Sequence, residues 1–308
     1  MTGRSFAGVI NPGASTLKAL DADALRARIA DALGARGDLI AFSDPDTDAV
    51  EALRAAAADD DHDGLLVAGG DGTVSLAAGL CAQAGKTLAI VPGGNMNLYA
   101  RSLGLPLDPF AAAEALAGFR VRPVDIAYAN DRPFIHEFSL GLHPELIADR
   151  DKVKYGSRLG KLVGTARSAL RVIARPPRVR VWLDGVRGPE PLITPGVAIS
   201  NNPFSPGHLP FADRLDSGLL GVYILTSERS ADVAALAAAL QTGTWQDLAF
   251  VRSETARRVR LRRARPMRAA IDGELVTMEG PIDIRTDPGG LTVLAPAKQP
   301  DEMVSQTD

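Results

Sequence analysis

Along the first 125 residues, short unbroken apolar runs alternate with longer stretches whose apolar residues recur at three- and four-residue spacing. Ser5–Ile10, Leu39–Phe42, Gly64–Ala68 and Thr87–Val91 are runs of the kind that form strands covered on both faces in a parallel sheet. Leu17–Leu33, Asp46–Ala58 and the stretch from Thr73 to about Ala84 carry the helical period, and Asp and Thr open the second of them as capping residues. Strand and helix in strict alternation predict an open, doubly wound α/β domain, Rossmann-like, over residues 1–125. Ligands in such a sheet sit at the carboxyl ends of the strands.

After Val124 the pattern changes. Helical periodicity is confined to Lys161–Ile173 and Ala231–Leu240. Short alternating segments take over: Arg178–Leu183, Val197–Ser200, Leu219–Leu225, Val259–Leu261, Met267–Ile271, Ile282–Arg285 and Leu291–Leu294. Asp184-Gly185 between Arg178–Leu183 and Val186-Arg187 predicts a hairpin with a two-residue turn. Residues 126–297 therefore read as a β-rich, sandwich-like second domain, and 298–308 as a polar tail.

Composition narrows the class. The 308 residues are 46% hydrophobic and 23% charged, with room for a sizeable core. A net charge of −3 argues against a nucleic-acid partner. One cysteine, Cys81, forbids an internal disulfide, and four dispersed histidines make no metal cluster. No run of membrane-spanning or signal-peptide length is present, so the expected location is cytoplasmic.

The chemistry concentrates where strands end. Gly69-Gly70-Asp71-Gly72-Thr73 stands between a buried strand and a helix, so glycine backbone and a helix N-terminus together offer an anion site. Asp71 in such a loop repels phosphate unless a cation or a proton transfer intervenes, so it reads as a Mg²⁺ partner or a base. The plainer alternative is a carboxylate that caps the helix. Pro92-Gly93-Gly94-Asn95-Met96-Asn97 follows the next strand, and the Asn95 and Asn97 amides can donate to phosphate or ribose. Asn11-Pro12-Gly13-Ala14-Ser15 makes a third polar turn at the same edge.

INPGAS (10–15), GGDGT (69–73), PGGNMNLYARSLGLP (92–106), SNNPFSPGHLPFADRLDSGLLGVYIL (200–225) and IDGE (271–274), in that order, resemble the diacylglycerol kinase catalytic domain family, which includes bacterial soluble lipid kinases and sphingosine kinases. The resemblance runs over nearly the whole chain. It implies an NAD-kinase-like nucleotide domain and a β-sandwich. It also implies ATP and Mg²⁺ as cofactors, and transfer of the γ-phosphoryl group to a lipid hydroxyl. By motif position, Asn11, Ser15, Gly69, Gly70, Gly72, Thr73, Gly94, Asn95 and Asn97 would hold the nucleotide. Asp71 would be the essential acid and Glu274 the proton acceptor. The family's usual GTxN reads Gly94-Asn95-Met96-Asn97 here, and Ser75-Leu76 replaces a frequent Asn-Glu. A structural Mg²⁺ would fall to Asp216 with the Leu215 and Leu219 carbonyls. Two alternatives to a lipid kinase stay open: an NAD-kinase-like phosphotransferase and a nucleotide-binding regulatory protein without turnover.

Residues 252–268 hold eight arginines against one glutamate. If 258–262 is a strand, Arg258, Arg260 and Arg262 share one face, with Val259 and Leu261 on the other. That face is either a platform for anionic lipid headgroups or a solvated edge blunted by charge. The first reading makes the membrane's inner surface a peripheral partner. A basic amphipathic helix over Arg158–Ile173 would add to it, and the sequence leaves a homodimer open.

Overall fold

The computed structural model describes residues 3–44, 46–151, 170–263 and 265–297. The chain divides into two compact units. One comprises Met1–Ile126, Phe211–Ser217 and the chain from Asp287 on; the other comprises Ala127–Pro210 and Gly218–Thr286. The first boundary, after Ile126, lies two residues past the change in hydrophobic pattern, but two later segments return to the first unit. No periodicity in the sequence announces those returns.

The first unit is built on parallel strands β1 (Ser5–Ile10), β2 (Leu39–Phe42), β3 (Gly64–Gly69) and β4 (Thr87–Pro92), in the order β2-β1-β3-β4. Every residue of β3 and β4 is buried, as their unbroken apolar runs require. Thr292–Leu294 pair in parallel beside β4, within one fourteen-residue strand, Ile282–Ala295, where the sequence pattern suggests two short ones.

Around this sheet lie α1 (Ala22–Gly34), α2 (Ala49–Ala58), α3 (Asp71–Ala84), α4 (Leu98–Ser102) and α5 (Pro109–Ala115). The expected helix from Leu17 is broken. Leu17–Ala19 is a single 3₁₀ turn, Leu20 is extended, and Asp21 starts α1 by accepting the N–H groups of Asp23 and Ala24. The break lets Leu17 turn inward against Gly93, where even one Cβ would come within 2.6 Å of the leucine. Asp48 likewise caps α2, so that helix opens three residues after the predicted start.

The second unit is a β-sandwich. One sheet runs β12 (Val251–Ala256), β11 (Leu220–Leu225), β10 (Gly196–Ser200), β7 (Glu137–Gly141), β14 (Met267–Ile271), β15 (Glu274–Met278), antiparallel throughout. The facing strands include the end of β5 (Arg120–Ala129), β6 (Arg132–Phe134), β8 (Val179–Asp184), β9 (Glu190–Thr194), β13 (Arg258–Arg262) and the start of β16 (Ile282–Ala295). Phe138, Ile199 and Val222 from one sheet meet Leu183, Leu261 and Ile284 from the other in one core. Each such side chain contributes about 1.5–3 kcal/mol on burial.

The predicted two-residue hairpin after β8 is wrong in its turn. Leu183 pairs with Glu190 and Val179 with Thr194, so residues 185–189 form the connection. Gly185 lies where a Cβ would strike the Arg258 carbonyl at 2.1 Å, and that packing fixes the chain's exit in place of a tight turn. The helix Ser230–Thr242 extends the predicted one at both ends. The basic helix expected over Arg158–Ile173 lies mostly outside the described residues, as does the tail. Among the described residues, no helix is long and apolar enough to cross a membrane.

Candidate active site

Three loops of the first unit meet at the carboxyl ends of β1, β3 and β4, and hydrogen bonds knit them together. Asn11 donates its side-chain amide to Thr73 Oγ1 at 2.9 Å and accepts the Gly13 N–H at 2.9 Å. Thr16 reaches the Gly93 carbonyl through its N–H (3.0 Å) and the Gly94 carbonyl through its hydroxyl (3.2 Å). The Gly93 N–H donates to the Gly69 carbonyl at 2.7 Å. Gly70 and Gly94 touch so closely that a Cβ on Gly94 would lie 2.8 Å from the Gly70 Cα.

Asp71 joins the second and third loops. Its Oδ2 accepts the Asn97 N–H at 2.9 Å and its Oδ1 the Leu98 N–H at 2.7 Å. These two N–H groups begin α4, so the carboxylate caps the helix that follows rather than its own. The plainer reading of Asp71 as a cap is thus half right, with the helix misassigned. Asn97 sits in the left-handed region at φ 50° and is buried. Its amide accepts the Gly94 N–H and donates to the Gly94 carbonyl, both at 2.9 Å. That side chain is committed within its loop, whereas Asn95 and Ser15 are exposed.

Helix α3 opens on Gly70, and no side chain caps it. Its first-turn N–H groups, on Asp71, Gly72 and Thr73, therefore have no intrahelical partner. A Cβ on Gly72 would meet nothing within 4 Å. Uncapped amides beside open space suit the oxygens of a phosphate. Behind this site Cys81 is buried, and burial pushes its thiol up to about 12; it is packing, not a nucleophile.

Near Asp216, two of the expected donors have protein partners. The Leu215 carbonyl accepts the Asp125 N–H at 2.6 Å, tying 211–217 into the first unit. Asp216 pairs with Arg214 at 3.3 Å and lies close enough to Arg122 for its charge to favour that guanidinium. Two cations thus face this carboxylate. Among the described residues no three His, Cys, Asp or Glu side chains are grouped to hold a metal ion.

In the second unit, Asp272 and Gly273 take φ 46° and 84°, the signature of a tight hairpin turn between β14 and β15. Asp272 does more than turn the chain. Its carboxylate accepts the N–H groups of Ile135, His136 and Glu137 at 3.0, 2.9 and 2.9 Å. That leaves Glu274 exposed at the head of β15. Sequence reasoning missed Asp272's grip and a neighbouring pair, Glu137 with His143 at 2.7 Å. Burial pushes the Glu137 carboxyl up, but the hydrogen bond and charge of His143, with the charge of His136, outweigh it and hold the group below its ordinary value.

The first unit thus has the form of an open α/β domain with a glycine-opened, uncapped helix at its strand ends, accompanied by a β-sandwich. Residues 8–129 match the diacylglycerol kinase catalytic domain, and residues 163–295 the YegS C-terminal NAD kinase beta sandwich-like domain. A "Probable lipid kinase YegS-like" of Pseudomonas aeruginosa strain UCBPP-PA14 is 30% identical over 246 residues, covering 77% of this chain and 78% of that protein. A "Diacylglycerol kinase" of Bacillus subtilis strain 168 is 28% identical over 231 residues, 74% of this chain and 76% of the other. In fold, a crystal structure of a diacylglycerol kinase from Bacillus anthracis str. Sterne superimposes with a TM-score of 0.70 at 20% identity, covering 96% of this chain and 98% of that one. The chain belongs to the diacylglycerol kinase catalytic domain family.

Proposed function

We propose that this protein is an ATP-dependent lipid kinase that phosphorylates a hydroxyl of diacylglycerol or a related lipid. The observation that carries this reading is the uncapped, glycine-opened N-terminus of α3, which begins at Asp71 just after the parallel strand β3. The names of the relatives supply the lipid acceptor.

The chain's groups divide the work of phosphoryl transfer, which is mainly positioning and charge neutralisation. First-turn N–H groups of α3 bind phosphate oxygens, and Asn11 holds Thr73 in place beneath them. Each Asp71 oxygen accepts one backbone N–H and keeps a further lone pair. One carboxylate with free lone pairs suits Mg²⁺, which takes most of its ligands from water and phosphate. Bound there, the ion would neutralise charge on the nucleotide's phosphates. The lipid hydroxyl oxygen forms the new bond to the γ-phosphorus, the bond to the bridging oxygen breaks, and ADP leaves. Glu274 takes the hydroxyl proton.

The test is incubation with γ-labelled ATP and Mg²⁺ in the presence of mixed diacylglycerol vesicles and NAD. Label extracted into the organic phase supports the lipid kinase. Label on NAD, or no label beyond bound nucleotide, points to the two other readings and overturns it.

A further inference from the structure

One outer face of the β-sandwich combines features that a water-facing sheet has no use for. Alternate residues of β8, β9 and β13 point away from the core: Arg180, Trp182 and Asp184; Pro191 and Ile193; Arg258, Arg260 and Arg262. Register sets them side by side. Trp182 lies between Arg262 and Pro191, and Arg180 lies opposite Ile193. Trp182 and Ile193 are diagonal neighbours, within reach of each other on a pleated surface. Each is 50% exposed.

The charge on this face opposes that of the chain. With Asp283 and Arg285 of β16 beside β13, it carries five arginines against two aspartates, while the whole protein is at −3. Arg258 is the least available, because its guanidinium grips Asp283 with two hydrogen bonds. The other cations around the indole are Arg180, Arg260 and Arg262, of which Arg260 lies between Asp184 and Asp283. β13 is paired on both sides, by β16 and β8, so the expected edge reading falls, and an all-Arg stripe on it is explained by solvation of the outer face alone. An indole and an isoleucine half exposed among the arginines are not.

We infer that this face docks on an anionic lipid bilayer, with Trp182 and Ile193 entering the headgroup region and Arg180, Arg260 and Arg262 pairing with lipid phosphates. Tryptophan is suited to that depth, with an apolar ring and an N–H donor. Guanidinium groups bind phosphate bidentately and lose little hydration in doing so. A cationic face on an acidic protein also orients the approach, since the charge outside that face is net negative. The inference rests on the lipid-kinase reading only for its purpose, which is to hold the enzyme where its substrate is embedded.

The chain carries its own reporter. Trp182 is half exposed and Trp245 is 4% exposed, so a collisional quencher such as acrylamide reads mainly Trp182. Vesicles of phosphatidylglycerol and phosphatidylcholine should shield the protein's fluorescence from acrylamide, and phosphatidylcholine alone should not. The Trp182→Phe variant should lose the vesicle-dependent change. Exchanging Arg180, Arg260 and Arg262 together for Gln should weaken co-sedimentation with the anionic vesicles about a hundredfold at low salt. Trp182→Ala should weaken it about tenfold. Activity on detergent-dispersed diacylglycerol should be unchanged in all of these variants.

Unaltered quenching at lipid concentrations where the protein sediments would show that another surface binds, and would overturn the inference. So would shielding without lipid accompanied by a doubled mass in light scattering, since a second copy would then cover the face. Failure to sediment with anionic vesicles has the same force. The kinase reading fails separately, through absence of transfer to dispersed diacylglycerol while shielding persists.

Discussion

Asp71 holds Asn97 by a 2.9 Å hydrogen bond from the asparagine's backbone N–H to Oδ2, and the adjacent Leu98 N–H by 2.7 Å to Oδ1. The acid at the centre of the site is thus also the clamp between two loops. Asp71→Asn keeps one acceptor oxygen but turns an NH₂ toward a backbone N–H. We expect turnover to fall at least a hundredfold and stability to drop by about 1.5–3 kcal/mol, the worth of a hydrogen bond to a charged group. Denaturant midpoints beside kcat values check this. Full stability in Asp71→Asn would show that the clamp is dispensable.

The two glycines on either side of Asp71's contacts should respond differently. In Gly94→Ala the new Cβ would lie 2.8 Å from the Gly70 Cα and 2.9 Å from Asn97 Oδ1, so the loops must part. Stability should fall by about 1–3 kcal/mol, as for an overpacked site. Gly72→Ala meets nothing within 4 Å and sits in a helical first turn, so the fold should be unharmed. Its methyl group would stand where phosphate is expected, and ATP affinity should fall about tenfold. Calorimetric titration of both variants with ATP separates the two effects.

Asp272 is a structural acid two residues before Glu274, the proposed proton acceptor. Removing its carboxylate in Asp272→Ala strands three backbone N–H groups and puts alanine at φ 46°. The loss should be about 2–4 kcal/mol. Thermal unfolding measures it, and a loss below about 1 kcal/mol would show that the three bonds are replaced by water.

Glu137 should make the second unit sensitive to acid. Its native carboxyl is held below the ordinary 4.5, so its pairing contributes stability that is fully present above that value. That contribution is lost as pH falls through the lower native value. Urea midpoints taken between pH about 6 and about 3 should fall less steeply for Glu137→Gln than for the parent. Parallel curves would remove Glu137 from the account.

Elements whose signal is local could be read from the sequence. The continuous apolar runs of β3 and β4 gave bounds within one residue, because burial on both faces leaves no alternation to misread. Met267–Ile271 likewise forms a strand over the full predicted range. Arg258, Arg260 and Arg262 do share the exposed face, with Val259 and Leu261 buried, since strand period alone decides it. Long-range relations were hidden. Nothing in the spacing shows that 211–217 returns to the first unit through the Asp125–Leu215 bond, or that residues 185–189 replace a tight turn. The three turns could be placed at strand ends from their glycines and position, but the partners of their residues could not. Asn97 reads as a ligand amide until its two bonds to Gly94 are seen, and Asp272 reads as a turn residue until its three acceptor contacts are counted.

The central claim is transfer of a phosphoryl group to a lipid hydroxyl with Glu274 as the proton acceptor. Single-turnover transfer from γ-labelled ATP to detergent-dispersed diacylglycerol tests it most directly, with wild type and Glu274→Gln compared and ATP binding measured on the same preparations. Glu274 is exposed and outside the clamped loops, so the variant should fold and bind ATP within about twofold of wild type. Wild type should place label in the lipid, and Glu274→Gln should do so at least a hundredfold more slowly. Transfer by the variant within about threefold of wild type, or a wild type that never labels the lipid, would contradict the account.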